Sequence, residues 1–212
     1  MLYLFDVDGT LTDSAPDITG AVSEVLRRNE LPPQSFEHLR TYIGKHLREL
    51  FFDIVPNCTE EKSDALIAEY RTIYAAREHT QTRVYAGIAE ALAGLGCIKS
   101  TATTKGTPTT RIVLEKFGLI QYFDHVQGTD GFPAKPAPDV IHRSLERFQV
   151  AAQDVLFIGD SEADMAAGRA AGVKLCAVRW GYGDLENMAR YEPEYWVDEP
   201  AQILALSRST MI

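Results

Sequence analysis

Two aspartates, Asp6 and Asp8, close an apolar run that begins at Leu2, and Gly9 and Thr10 follow at once. Carboxylates at the edge of a core are costly to bury unless a cation or hydrogen bonds compensate them. A divalent cation does so. Hard Mg2+ prefers oxygen ligands, keeps several waters, and is commonly held by one or two carboxylates plus a substrate phosphate. Residues two apart in an extended segment share a face, so both acids can address one substrate. Gly9 permits a tight turn whose N–H groups can cradle an anion. Asp, Gly and Thr are also ordinary loop formers after a strand, so the pair alone decides little.

Three later stretches carry residues of matching chemistry. T-A-T-T-K, at 101–105, follows a strand-like segment, where a hydroxyl and the first amides of a helix can donate to phosphate oxygens. Lys135 stands in K-P-A-P-D, and Pro136 and Pro138 make a rigid mount for one positive charge ahead of a helix. In F-I-G-D-S-E-A-D-M, at 157–165, an apolar run again ends in Gly-Asp, and Asp164 lies one helical turn beyond Asp160. Both carboxylates can then face one point at a helix N-terminus, which favours Asp in any case.

These residues must be held by a framework. A chain of 212 residues, 45% hydrophobic and 24% charged, can bury one core and a small second module. The segment after Asp13 reads as helices: one from Pro16 to about Asn29 with Ser14 placed as its N-cap, one begun by Ser35 and carrying Phe36, Leu39 and Ile43, then 47–55 and 59–79. From Val84 onward, short strand-like and helical units alternate, with strands expected at 98–103, 125–128, 155–158 and 173–178. The expected fold class is α/β: a doubly wound Rossmann-like parallel sheet with an inserted all-α helical cap. Residues 1–13 and 84–212 are assigned to the core and 14–83 to the cap, with hinges near 12–15 and 82–87. Ligands of such sheets bind at the carboxyl ends of the strands, where every motif above falls.

A formal net charge of −9 argues against a nucleic-acid surface. No apolar run approaches the roughly 20 residues of a membrane span, so the expectation is a soluble, cytoplasmic protein without a membrane partner. Cys58, Cys97 and Cys176 are far apart and lack C-x-x-C spacing, which suggests buried free thiols rather than disulfides or zinc.

Taken together, D-V-D-G-T-L-T-D-S, T-A-T-T-K, K-P-x-P-D and G-D-S-x-x-D resemble the four motifs of the haloacid dehalogenase superfamily, and R-W-G-Y-G at 179–183 resembles its phosphoglycolate phosphatase branch. The resemblance implies that Asp6 is a nucleophile forming a phospho-aspartyl intermediate and that Asp8 is the general acid and base. It implies an Mg2+ cofactor held by the Asp6 carboxylate, the Asp8 backbone carbonyl and Asp160, with Asp164 an outer ligand or a partner of Lys135. Thr103 and Lys135 are expected on the phosphate. Thr104 stands where the branch usually carries Asn, and Lys99, Ser100 and Thr101 make the second strand polar where a central parallel strand is apolar.

An Asp two residues after the nucleophile favours a phosphatase or phosphomutase, because an alkoxide leaving group needs a proton. Choice of substrate falls to the cap, where Gly44 lets a loop approach the site and Lys45, His46 and Arg48 are expected to meet a substrate carboxylate. The expected substrate-binding set is thus Thr103, Thr104, Lys135, Lys45 and Arg48, and the expected metal set is Asp6, Asp8, Asp160 and Asp164. 2-Phosphoglycolate suits this set. A nucleoside monophosphate or sugar phosphate, a beta-phosphoglucomutase-like mutase reaction, and a non-catalytic phospholigand-binding role are the alternatives. The expected partner is a small phosphorylated metabolite, acting on a monomer or homodimer.

Overall fold

The computed structural model describes residues 1–209. Strand β1 (Leu2–Phe5) is wholly buried and lies inside a five-stranded parallel sheet. Its companions are β4 (Ile98–Thr101), β5 (Val155–Gly159), β6 (Lys174–Val178) and β7 (Tyr195–Val197), in the order β4-β1-β5-β6-β7. Register puts Phe5 level with Thr101 on one side and Ile158 on the other. The residues that follow these three positions therefore leave the sheet at one edge.

Alternation along β1 builds two cores. Leu2 and Leu4 face a cluster with Val140, Phe157, Met165 and Leu175, while Tyr3 and Phe5 face one with Leu92, Val113, Leu114 and Ile158. Helices α5 (Ile88–Gly94), α6 (Thr107–Lys116), α7 (Asp139–Phe148), α8 (Glu162–Ala170), α9 (Leu185–Ala189) and α10 (Pro200–Ser209) complete the layers on the two faces. This is the doubly wound α/β arrangement.

The cap is made by α1 (Ala15–Arg28), α2 (Phe36–Arg40), α3 (Leu47–Ile54) and α4 (Glu60–Ala76), which enclose a third apolar cluster including Val22, Leu26, Phe51, Ile67 and Tyr70. Its two connections pair with each other. Strand β2 (Thr12–Asp13) runs antiparallel to β3 (Arg83–Val84), so entry and exit of the cap form one short ribbon. Asp17 ties the ribbon to α1: its buried carboxylate accepts from the Thr82 hydroxyl (2.8 Å), the Thr82 and Gln81 amides (2.7 and 3.0 Å) and Arg77 (3.2 Å).

Several expectations are corrected. Segment 125–128 is not a strand; it touches β4 through one bridge, Ser100 to His125, and is otherwise held by the Thr101 hydroxyl on Gln127. The helix begun by Ser35 stops at Arg40, short of Ile43. Strands β2, β3 and β7 were not anticipated. Ser14 holds the N-cap position of α1 as expected, but its hydroxyl donates to Asp8 (2.6 Å) rather than bonding to the helix amides. Only Cys176 is fully buried; Cys58 and Cys97 are partly exposed, and all three are free thiols. The polar second strand ends the sheet, and its polar side chains are buried but partnered: Lys99 Nζ donates to the carbonyls of Leu95 and Cys97, and the Thr101 hydroxyl bonds to Gln127 of the segment that covers this edge. Among the described residues no helix is long and apolar enough to cross a membrane.

Candidate active site

Asp6 follows directly from β1, its amide donating to Ile158 O (2.9 Å). Lys135 reaches it from the loop before α7. The Lys135 Nζ donates to Asp6 Oδ1 (2.7 Å), Asp164 Oδ1 (2.5 Å) and the Ala102 carbonyl (3.1 Å). Asp164 is fixed in turn by the start of α8, where its Oδ2 accepts from the Ser161 amide (2.9 Å) and hydroxyl (2.6 Å), closing a capping box. Asp160 accepts from the Thr10 hydroxyl (2.8 Å) and the Tyr182 amide (2.8 Å). Backbone crowds the Asp160 side chain so closely that a Cβ on Gly9 (φ +91°) or on Gly181 would lie 2.2 Å from one of its atoms. Only glycine fits there.

Carboxylate oxygens of Asp6, Asp160 and Asp164 lie within 4.8 Å of one another, all three residues buried. Two of these acids, Asp6 and Asp164, share one ammonium, and Asp160 pairs with no cation among the described residues. Burial pushes the Asp6 carboxyl up to about 7, against the pull of Lys135 and with Asp164 and Asp8 adding to it. Burial, then Asp164 and Asp6, raise Asp160 well above the carboxylate range. Burial works against the Lys135 charge, yet Asp164 and Asp6 hold its pKa above the ordinary lysine value. The cluster has an excess of negative charge and an all-oxygen donor set, which is the environment a hard divalent cation relieves.

Asp8 is held separately. Its Oδ1 accepts from Ser14 Oγ, and its Oδ2 pairs with Lys105 Nζ at 3.1 Å. Lys105 also donates to the Tyr74 hydroxyl (3.1 Å) from the cap. Burial would lower the Lys105 pKa, but Asp8, Tyr74 and Tyr70 hold it above the usual range. Asp6 and Asp8 form the floor of a cavity of about 500 Å³ between core and cap.

A profile of the haloacid dehalogenase-like hydrolases matches residues 3–178. Phosphoglycolate phosphatase 1 of Pseudomonas aeruginosa is 32% identical over 96% of this chain and 78% of its own length. A phosphoglycolate phosphatase of Vibrio parahaemolyticus is 30% identical over 96% and 94%. The chain belongs to the haloacid dehalogenase-like hydrolases. Among solved structures, a haloacid dehalogenase-like hydrolase of Streptococcus pneumoniae superposes with a TM-score of 0.88 at 26% identity, covering 97% of both chains.

Against the site expected of a haloacid dehalogenase-like hydrolase, Asp6, Lys135, Asp160 and Asp164 meet in one cluster, and Asp8, Thr103, Thr104 and Lys45 line the cavity beside it. Thr103 is buried, and its hydroxyl accepts from the Lys105 amide (3.4 Å). Thr104 turns toward the cap, donating to Gly44 O (3.1 Å). Lys45 pairs with Glu49 (3.1 Å). Arg48 is placed elsewhere: it pairs with Glu60 and Asp64 on the cap surface and lies outside the cavity lining. The Asp8 carboxylate is likewise outside the three-acid cluster.

Four residues with direct contacts to these acids were missed. Thr10, Ser14 and Tyr182 are hydrogen-bond donors to Asp160 or Asp8, and Lys105 is the ion-pair partner of Asp8. Lys105 had a readable signal, standing two residues after Thr103 at the end of a strand, but an isolated lysine ordinarily reads as solvated. Tyr182 stands in the R-W-G-Y-G stretch, but its contact with Asp160 is made by the backbone amide, which side-chain chemistry does not announce.

Proposed function

We propose that this hydrolase cleaves small phosphate monoesters through a phospho-aspartyl intermediate on Asp6, and that its substrates are phosphorylated hydroxy acids, of which 2-phosphoglycolate is the smallest. The buried cluster of Asp6, Lys135, Asp160 and Asp164 at the edge of the sheet carries this reading. The relatives named phosphoglycolate phosphatase support the substrate class.

In this mechanism an Asp6 oxygen attacks phosphorus, and the bond to the ester oxygen breaks as Asp8 gives that oxygen its proton. Asp8 then takes a proton from water, which attacks the acyl phosphate and returns Asp6 with inorganic phosphate. Lys135, the Thr103 hydroxyl and the amides after Asp6 offset charge on the phosphoryl oxygens. Mg2+ fits the three-acid cluster: the Asp6 carboxylate, the Asp8 carbonyl and Asp160 would hold it, with Asp164 behind them. When bound it supplies charge neutralisation at the phosphoryl oxygens.

The two departures from the family pattern have structural places of their own. The polar side chains of the second strand are buried and hydrogen-bonded, and Thr104 makes a bond between core and cap. Phosphate release from 2-phosphoglycolate with Mg2+, abolished by EDTA and restored by added Mg2+, is the expected result. Equal release with and without the chelator contradicts the metal assignment, and no release from any phosphate monoester contradicts the activity.

A further inference from the structure

Most of the cavity above Asp6 is apolar. Ile18 and Val22 from α1, Leu47 and Leu50 from α3, and Ile67 from α4 form a sleeve, and a two-carbon acid occupies little of a space of about 500 Å³. Cavities of this size with apolar walls suit ligands that carry apolar surface of their own. Tyr70 adds a flat face, stacked on Tyr74 with ring centroids 5.5 Å apart and planes at 11°. Tyr70 is 6% exposed and lines the cavity, and its hydroxyl has no hydrogen-bond partner among the described residues, whereas Tyr74 is engaged by Lys105.

Arg71, the next residue on α4, supplies charge at the same wall. Other cap cations near the cavity are already paired: Lys45 with Glu49, and Arg48 with Glu60 and Asp64. Lys116, across the mouth, donates to the Glu78 carbonyl. Arg71 lines the cavity and has no ion pair or hydrogen bond among the described residues. Glu78, the one acid of the lining other than Asp6 and Asp8, does not pair with it. A guanidinium fork matches a carboxylate in two parallel hydrogen bonds.

We propose, building on the phosphatase reading above, that the cap selects phosphorylated hydroxy acids whose carbon body is larger than that of glycolate and apolar or aromatic. The body fills the sleeve against Tyr70, and Arg71 is the specificity-determining residue that binds the terminal carboxylate.

Three esters with alkoxide leaving groups test this: 2-phosphoglycolate, benzyl phosphate and 4-carboxybenzyl phosphate, each assayed with Mg2+. The expected order places 4-carboxybenzyl phosphate first in kcat/KM. In Arg71→Met the ratio of kcat/KM for the carboxylated over the plain benzyl ester falls about tenfold to a hundredfold, the range of a charge-assisted pair, and falls through KM. Arg71→Lys retains part of the ratio, because it keeps the charge and loses the fork. Release led by 2-phosphoglycolate, or a ratio unchanged in Arg71→Met, overturns this inference and leaves the phosphatase reading standing. Release from none of the three overturns both.

Discussion

On the core side of the cavity every charge faces another: Lys135 bridges Asp6 and Asp164, Asp160 sits against both, and Asp8 pairs with Lys105. On the cap side the lining is mostly aliphatic and aromatic, with Tyr70 and Arg71 uncommitted among the described residues. Backbone that leaves three adjacent parallel strands at one edge holds the first set, so its geometry is rigid; Lys135 and Lys105 offset part of its cost, and an excess of negative charge stays on Asp160. The second set lies on helices joined to the core by a two-residue ribbon. The contrast separates two tasks. On the phosphatase reading proposed above, the core is specialised for the phosphoryl group, which is common to all phosphate monoesters, and the cap for the alcohol, which differs among them.

Substitutions on the two sides should therefore fail differently. The largest effect is expected for Asp6→Asn, which is nearly isosteric: turnover falls about ten-thousand-fold or more while the circular dichroism spectrum stays that of the wild type. Turnover at the wild-type rate would remove Asp6 from the chemistry. Lys135→Met leaves Asp6 and Asp164 buried without their ammonium, and a loss of about 3–5 kcal/mol in chemical denaturation is expected. An unchanged midpoint and slope would mean that the acids are compensated by other means.

At the ribbon between the two sides, Asp17→Asn should cost about 1–3 kcal/mol near neutral pH. Burial opposes the Asp17 charge, but hydrogen bonds from Thr82, Gln81 and Arg77 outweigh it and hold the carboxyl below its ordinary value of 3.8. A carboxyl depressed in the fold stabilises it above the unfolded pKa, and this stability is lost as pH falls through the lower folded value. The gap between wild type and Asp17→Asn should therefore be full above pH 5 and close as the pH drops below about 4. A gap independent of pH would contradict the charge-based account. The smallest effect belongs to Thr104→Val, which removes one hydroxyl bond to the Gly44 carbonyl of the cap. A rise in KM of about two- to tenfold with kcat preserved is expected, and a fall in kcat alone would move Thr104 to the chemical step.

The same contrast governs what was legible in the sequence. Asp6, Asp160 and Lys135 stood out because acids directly after apolar strands, and a lysine between prolines, conflict with ordinary burial and need a reason. Local pattern cannot tell the last strand of a sheet from a central one, nor show that segment 124–128 lies against it, so Lys99, Ser100 and Thr101 read as anomalous. Strands β2, β3 and β7 are two or three residues long, too short for periodicity to register. Arg48 and Arg71 are both cap-helix arginines; which one faces the cavity depends on how α3 and α4 pack, a relation between distant residues. The motif that brought Thr103 to notice contained Lys105 as well, yet the Lys105 partners lie on β1's outgoing loop and on α4, remote in sequence.

The central claim is that phosphoryl transfer passes through Asp6. Acid quenching of the enzyme during turnover of 2-phosphoglycolate or a larger phosphorylated hydroxy acid with Mg2+, followed by peptide mass spectrometry, tests it most directly. A phosphoryl mass increment on the peptide bearing Asp6, absent from Asp6→Asn, is the predicted result. Steady turnover with no increment at Asp6, or with the increment on another residue, would contradict it.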